Sequence, residues 1–81
     1  MQNTTTYNGW TNHATWNAAL WIGGDQGLYE FAKECQDYND FVEQLREVSG
    51  DSSIGYQTPD RVAWNDSGIN IGELDAFIKD L

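Results

Sequence analysis

The chain has 81 residues, with 13 Asp and Glu against four Lys and Arg and a formal net charge of −9; this is the size of one small domain and excludes most multi-domain machinery. A surface this acidic is repelled by bare nucleic acid and by anionic lipid, so coating either directly is excluded. Low mean hydropathy (−0.63) with high net charge would fit a disordered tail, but four Trp, four Tyr and three Phe argue for a folded domain cored by large rings.

Residues 1–24 carry no Asp, Glu, Lys or Arg, so the whole charge lies on residues 25–81. Residues 1–6 are polar and aperiodic and read as a flexible tail, leaving residues 7–81 as a single small acidic helical domain. Asn8-Gly9 is a turn signal, and Thr11 or Asn12 is a suitable N-cap for a first helix over about His13 to Ile22, stopped by Gly23-Gly24. That helix is apolar around its axis: Trp16 and Leu20 share one stripe, Ala18, Ala19, Trp21 and Ile22 cover the rest, and only Thr15 and Asn17 interrupt. Such a helix is expected in the middle of a domain.

The next two helices have the opposite character. Asp25 opens a helix to about Cys35 with Leu28, Phe31, Ala32 and Cys35 inside and Glu30, Glu34 and Asp37 outside. After a break near Asp37–Asn39 a third runs to about Val48, with Phe41, Val42, Leu45 and Val48 inside, Asp40, Glu43 and Glu47 outside, and Gly50 as its stop. Residues 51–70 read as a loop with short extended pieces around Thr58-Pro59-Asp60 and Val62-Ala63-Trp64. Asn70 with Glu73 resembles a capping box for a last helix from Ile71 to about Lys79 that buries Ile71, Leu74, Phe77, Ile78 and Leu81. The expected fold is therefore mainly α, one compact domain of about four helices.

Catalytic and ligand signatures are sparse. An EF-hand register from Asp37 puts Val42 where glycine is needed and Val48 where Glu is needed, and one from Asp66 puts Ile71 and Phe77 there; hard cations need oxygen at the ligand positions. A structural zinc site needs four thiolate or imidazole ligands, whereas the chain has Cys35 and His13 alone. Cys35 lies on the apolar face with Leu28 and Phe31, which makes it a core thiol before it makes it a nucleophile paired with His13. No glycine-rich phosphate loop is present, because Gly23-Gly24 and Gly27 lack the following Lys-Ser/Thr. No cofactor and no metal is expected. One cysteine cannot form an internal disulfide. No apolar run approaches the roughly 20 residues of a membrane span, and residues 1–6 lack the regions of a signal peptide, so a cytoplasmic setting is expected.

The run Tyr7-Asn8-Gly9-Trp10-Thr11-Asn12, then Thr15-Trp16, then Leu20-Trp21-Ile22 resembles the opening of a family of small uncharacterised proteins of bacteriophages, including cyanophages, and of some bacteria. Asp60-Arg61-Val62-Ala63-Trp64-Asn65-Asp66, followed by Ile69 and Glu73-Leu74, is similar to that family's ending, where glycine is common in place of Arg61. The resemblance implies a phage or mobile-element setting, hence a host cytoplasm, and brings no catalytic residues.

In that setting the acidic helices suggest an inhibitor or modulator that docks Glu30, Glu34, Asp37, Asp40, Glu43 and Glu47 onto a basic site of a host nucleic-acid-handling protein. A domain of about 12 Å radius of gyration is roughly 30 Å across, and nine net charges over that length are about half the linear density of duplex DNA. Acids one helical turn apart stand about 5 Å from each other, comparable with a phosphate row. A second reading is an interaction module, adaptor or self-associating, that uses exposed aromatics among Trp10, Trp21 and Trp64. A third is a small hydrolase or metal-dependent enzyme, which would need a pocket of convergent polar groups.

Overall fold

The computed structural model describes residues 9–50 and 53–81; the expected tail at residues 1–6 lies outside them. Among the described residues the elements are α1 (His13–Gly24), α2 (Gln26–Lys33), α3 (Tyr38–Ser49), a 3-10 turn (Ser53–Gly55) and α4 (Ile71–Lys79). The chain is mainly α, as expected, and residues 56–70 form a loop with one isolated antiparallel bridge, Gln57 to Ala63.

The helix starts are made by short side chains that accept from exposed backbone N–H groups. Asn12 accepts from Thr15 N, Asp25 from Leu28 N, Asp37 from Asp40 N and Asn70 from Glu73 N. Asp25 also closes α1, its own N–H donating to Trp21 O at 3.1 Å, so one residue forms the corner between α1 and α2. The expected capping box of α4 is only half formed. The Glu73 carboxylate accepts instead from Thr11 N at 3.0 Å, while Asn70 N donates to Thr15 Oγ1 at 2.9 Å. The first turns of α1 and α4 are thereby joined, and Asn12 Nδ2 adds a bond to Gly68 O at 2.6 Å.

Trp64 lies at the centre of the core. Its side chain is fully buried, meets Phe41 edge-on with centroids 5.4 Å apart, and donates its indole N–H to Ile54 O at 2.7 Å. The buried Tyr38 hydroxyl donates to the Trp64 carbonyl, and burial raises that phenol's pKa well above its ordinary value. Leu28, Ala32, Val42, Leu45, Ile69, Leu74 and Ile78 complete the cluster with Ala18, Ala19 and Ile22 of α1.

Three faces differ from the sequence pattern. In α1 the two interrupting polar residues, Thr15 and Asn17, are fully buried, whereas Leu20 is 44% exposed; hydrogen-bond partners on the loop and α4 decide this orientation over side-chain hydrophobicity. Val48 is 70% exposed. With about 100° per residue, the 3-10 turn returns along the Arg46 and Ser49 side of α3, where Gly55 lies against both, and leaves the other flank of Leu45 uncovered. Ile71 is 40% exposed because the first turn of α4 meets α1 through polar atoms rather than an apolar face.

The loop carries one backbone outlier. Arg61 N donates to Thr58 O and Thr58 N to Val62 O, both at 2.8 Å, which closes a tight turn with Pro59 in its second position. Arg61 then takes φ +71°, the left-handed region that costs a non-glycine residue about 1–2 kcal/mol. Pinned neighbours on both sides hold it there.

Two outcomes follow. Arg61→Val should be less stable than Arg61→Gly by about 1–2 kcal/mol in urea unfolding, since a β-branched residue is worst suited to positive φ. Trp64→Ala removes about 3–5 kcal/mol of packing from a small domain whose total is at the low end of about 5–15 kcal/mol. It should be unfolded by circular dichroism at 25 °C, whereas the half-buried Trp10 and Trp21 should tolerate alanine.

Candidate functional site

The six acids proposed for the ridge divide into two kinds. Glu30 and Glu34 on and just after α2, and Glu43 and Glu47 on α3, are exposed. Asp37 and Asp40 are half-buried and occupied by the start of α3. Asp37 Oδ1 accepts from Asp40 N at 2.8 Å, and Asp40 Oδ2 accepts from Gln36 N and Gln44 Nε2, each at 2.9 Å. The Gln36 backbone bond first, and the Gln44 bond second, hold the Asp40 carboxyl below the ordinary carboxylate range. The oxygens of both aspartates thus face the fold as well as solvent. Lys33 interrupts the α2 acids; its ammonium stands 5.3 Å from the Tyr29 ring centroid and borders a shallow depression of about 300 Å³ with Glu30 and Glu34. Arg46 is similarly placed over the Tyr56 ring at 4.9 Å.

The three tryptophans separate by burial. Trp64 is withdrawn from the contact set, because the loop carries its ring into the core, where it is needed to fill the space beside Phe41. Trp10 is half-buried and packs edge-on against Phe77 at 5.4 Å. Trp21 is also half-buried, and its indole N–H donates to Asp60 Oδ2 at 3.0 Å.

That last bond belongs to a network that sequence reasoning did not assemble. Asn17 Nδ2 donates to the same Asp60 oxygen at 2.8 Å, Thr58 Oγ1 donates to Asn17 Oδ1 at 2.7 Å, and Thr58 Oγ1 accepts from Asp60 N and Val62 N at 3.2 Å. The visible signal was a pair of polar residues inside an apolar helix. Asn17 and Thr58 are each 1% exposed, so the amide and hydroxyl must be paired or cost about 1–3 kcal/mol apiece. Asp60 is exposed. The Asn17 bond, then the Trp21 bond, lower its pKa, with a smaller contribution from the charge of His13.

Beside Trp21 the surface opens into a groove of about 220 Å³ lined by Leu20, Trp21 and Gly24. Gly24 also lines a second depression of about 280 Å³ with Gly23, Gln26, Tyr29 and Glu30. The two share a wall at the α1–α2 corner. Cys35 is half-buried, its thiol directed at Phe31 O at 3.4 Å. Burial, and then the charges of Asp40, Glu34 and Asp37, raise its pKa, the opposite of what a thiolate nucleophile requires. Among the described residues no three His, Cys, Asp or Glu side chains are grouped to hold a metal ion, and no helix is long and apolar enough to cross a membrane.

These features define a small all-helical domain with an acidic exterior and an uncharged, internally hydrogen-bonded first helix. The chain belongs to a family of unknown function (DUF7249), which it matches over residues 3–81. No curated protein and no solved structure matches it.

The network gives a pH test. A depressed pKa for Asp60 means that its stabilisation is fully present above the unfolded value of about 3.9 and is lost as pH falls through the folded value. Asp60→Asn keeps an acceptor but no charge. The stability difference between the parent and Asp60→Asn should be constant near neutral pH and shrink on acidification below about pH 4. Denaturant midpoints, with Trp fluorescence as the signal, measure it.

Proposed function

We propose that this domain is an accessory protein that acts by binding, presenting the acids of α2 and α3 to a basic surface on another protein. The phage or mobile-element setting implied by the sequence resemblance makes a host protein the natural partner. A nucleic-acid-handling factor is the class whose basic site an acidic surface would occupy in place of DNA. The supporting observation is that Glu30, Glu34, Glu43 and Glu47 are exposed, and none of the four is ion-paired with a Lys or Arg among the described residues. Carboxylates left in solvent contribute little to a fold and are free to neutralise a cationic partner. Asp37 and Asp40 support the row through their charge while capping α3.

The experiment is retention of a partner on the immobilised chain at rising salt. A partner held by these ridges should be basic, should elute as ionic strength passes from about 0.1 M to 1 M, where the Debye length shrinks from about 10 to 3 Å, and should be competed by duplex DNA. Replacing Glu30, Glu34, Glu43 and Glu47 together with Gln should weaken it by about tenfold or more while leaving the thermal midpoint nearly unchanged. Retention at high salt, or a partner without a basic surface, would count against the proposal.

A further inference from the structure

Gly24 has no reason within the fold to be glycine. A Cβ built there meets nothing within 4 Å, its φ is not positive, and a glycine in a helix is weaker than alanine. Gly23, by contrast, would place a Cβ 3.3 Å from Phe77 Cζ, which explains it by the close approach of α4. Gly24 forms the shared wall of the two depressions at the α1–α2 corner. Alongside it Leu20 is 44% exposed.

Three acids stand around the two depressions, and the one cation of α2, Lys33, is held over the Tyr29 ring at 5.3 Å. Asp60 is bonded to the Trp21 indole on one side, Glu30 lines the other, and Asp25 stands at the corner between the helices. No Lys or Arg lines either depression. A second copy of the chain would bring nine further negative charges toward this rim, which opposes self-association. The complementary occupant has an apolar side chain for the floor and cations for the rim.

We infer that the Leu20–Trp21–Gly24 groove is a docking site for an amphipathic basic segment of a protein partner, an apolar side chain seated over Gly24 and flanking Lys or Arg residues facing Asp60 and Glu30. This rests on the reading of the domain as a binding module and adds the chemistry of the partner. The missing Cβ at position 24 allows close approach to the helix backbone, and Leu20 and Trp21 supply the apolar walls. The charge-free face of α1 thus provides the anchor, and the surrounding acids guide the partner onto it.

The test titrates the full chain, labelled with nitrogen-15, with a 14-residue Leu/Lys amphipathic peptide, and with a second peptide in which every Leu is Ser. The Leu/Lys peptide should shift the Trp21 indole N–H and the backbone amides of Leu20, Gly24 and Glu30. The Ser/Lys peptide should leave these unmoved. Gly24→Leu should weaken the Leu/Lys peptide by tenfold or more with no fall in thermal midpoint. Leu20→Lys, at an exposed helical position, should weaken it similarly and guards against a folding defect in the first variant. Equal shifts with both peptides, shifts confined to α3, or unchanged affinity in both variants would overturn the inference. So would groove signals that move with the concentration of the chain alone, which assign the groove to a second copy, or contacts from residues 1–8 to Leu20 in the free chain. Ser/Lys binding at Glu43 and Glu47 with an empty groove removes this inference and leaves the acidic-ridge proposal standing; binding of neither peptide removes both.

Discussion

The burial of Asn17 and Thr58 is the constraint on which the arrangement depends. An amide and a hydroxyl taken out of water must find partners; here the Asn17 amide oxygen accepts from the Thr58 hydroxyl while the amide nitrogen donates to Asp60. Meeting that requirement fixes the loop at residues 56–64 against α1. With the loop in place, Trp64 is delivered to the centre of the core and the Tyr38 hydroxyl finds the Trp64 carbonyl. Thr15, two residues earlier in the helix, accepts from Asn70 N and so locates the start of α4.

The same network separates the molecule into two chemical parts. The uncharged first helix spends its polar groups on the interior and leaves Leu20 and part of Trp21 at the surface. The acidic helices bury Leu28, Ala32, Phe41 and Leu45 and leave their glutamates in solvent. The corner at Asp25, which ends one helix and starts the next, brings the two parts together. Asp60 ties the loop to α1 by accepting from both Asn17 and Trp21.

Arg61 illustrates how tertiary restraint overrides local preference. Its left-handed backbone is the conformation for which glycine is suited. The turn forms regardless, because Thr58 is held by Asn17 and Asp60 by Asn17 and Trp21. Val48 and Ile71 show the converse: a favourable helical pattern placed them inside, but among the described residues the 3-10 turn passes on the other side of Val48, and α4 meets α1 beside Ile71 through polar atoms.

The local grammar was legible from the sequence. Asn12, Asp25 and Asn70 start helices where their side chains can cap, Gly50 ends α3 at φ +59°, and the apolar spacing of Leu28, Phe41, Leu45, Leu74 and Ile78 marks the inner faces. The exposure of Glu30, Glu34, Glu43 and Glu47 was legible for the same reason, since helical spacing alone places acids opposite an apolar stripe. The groove at Gly24 and the Asn17–Thr58–Asp60 network were not, because each joins residues that only a folded chain brings together. Sequence by itself determined the helices, their caps and the segregation of charge, which are set by neighbours within one turn. Tertiary structure decided which face of α1 turned inward and which tryptophan was surrendered to the core, because those choices depend on partners some forty residues away.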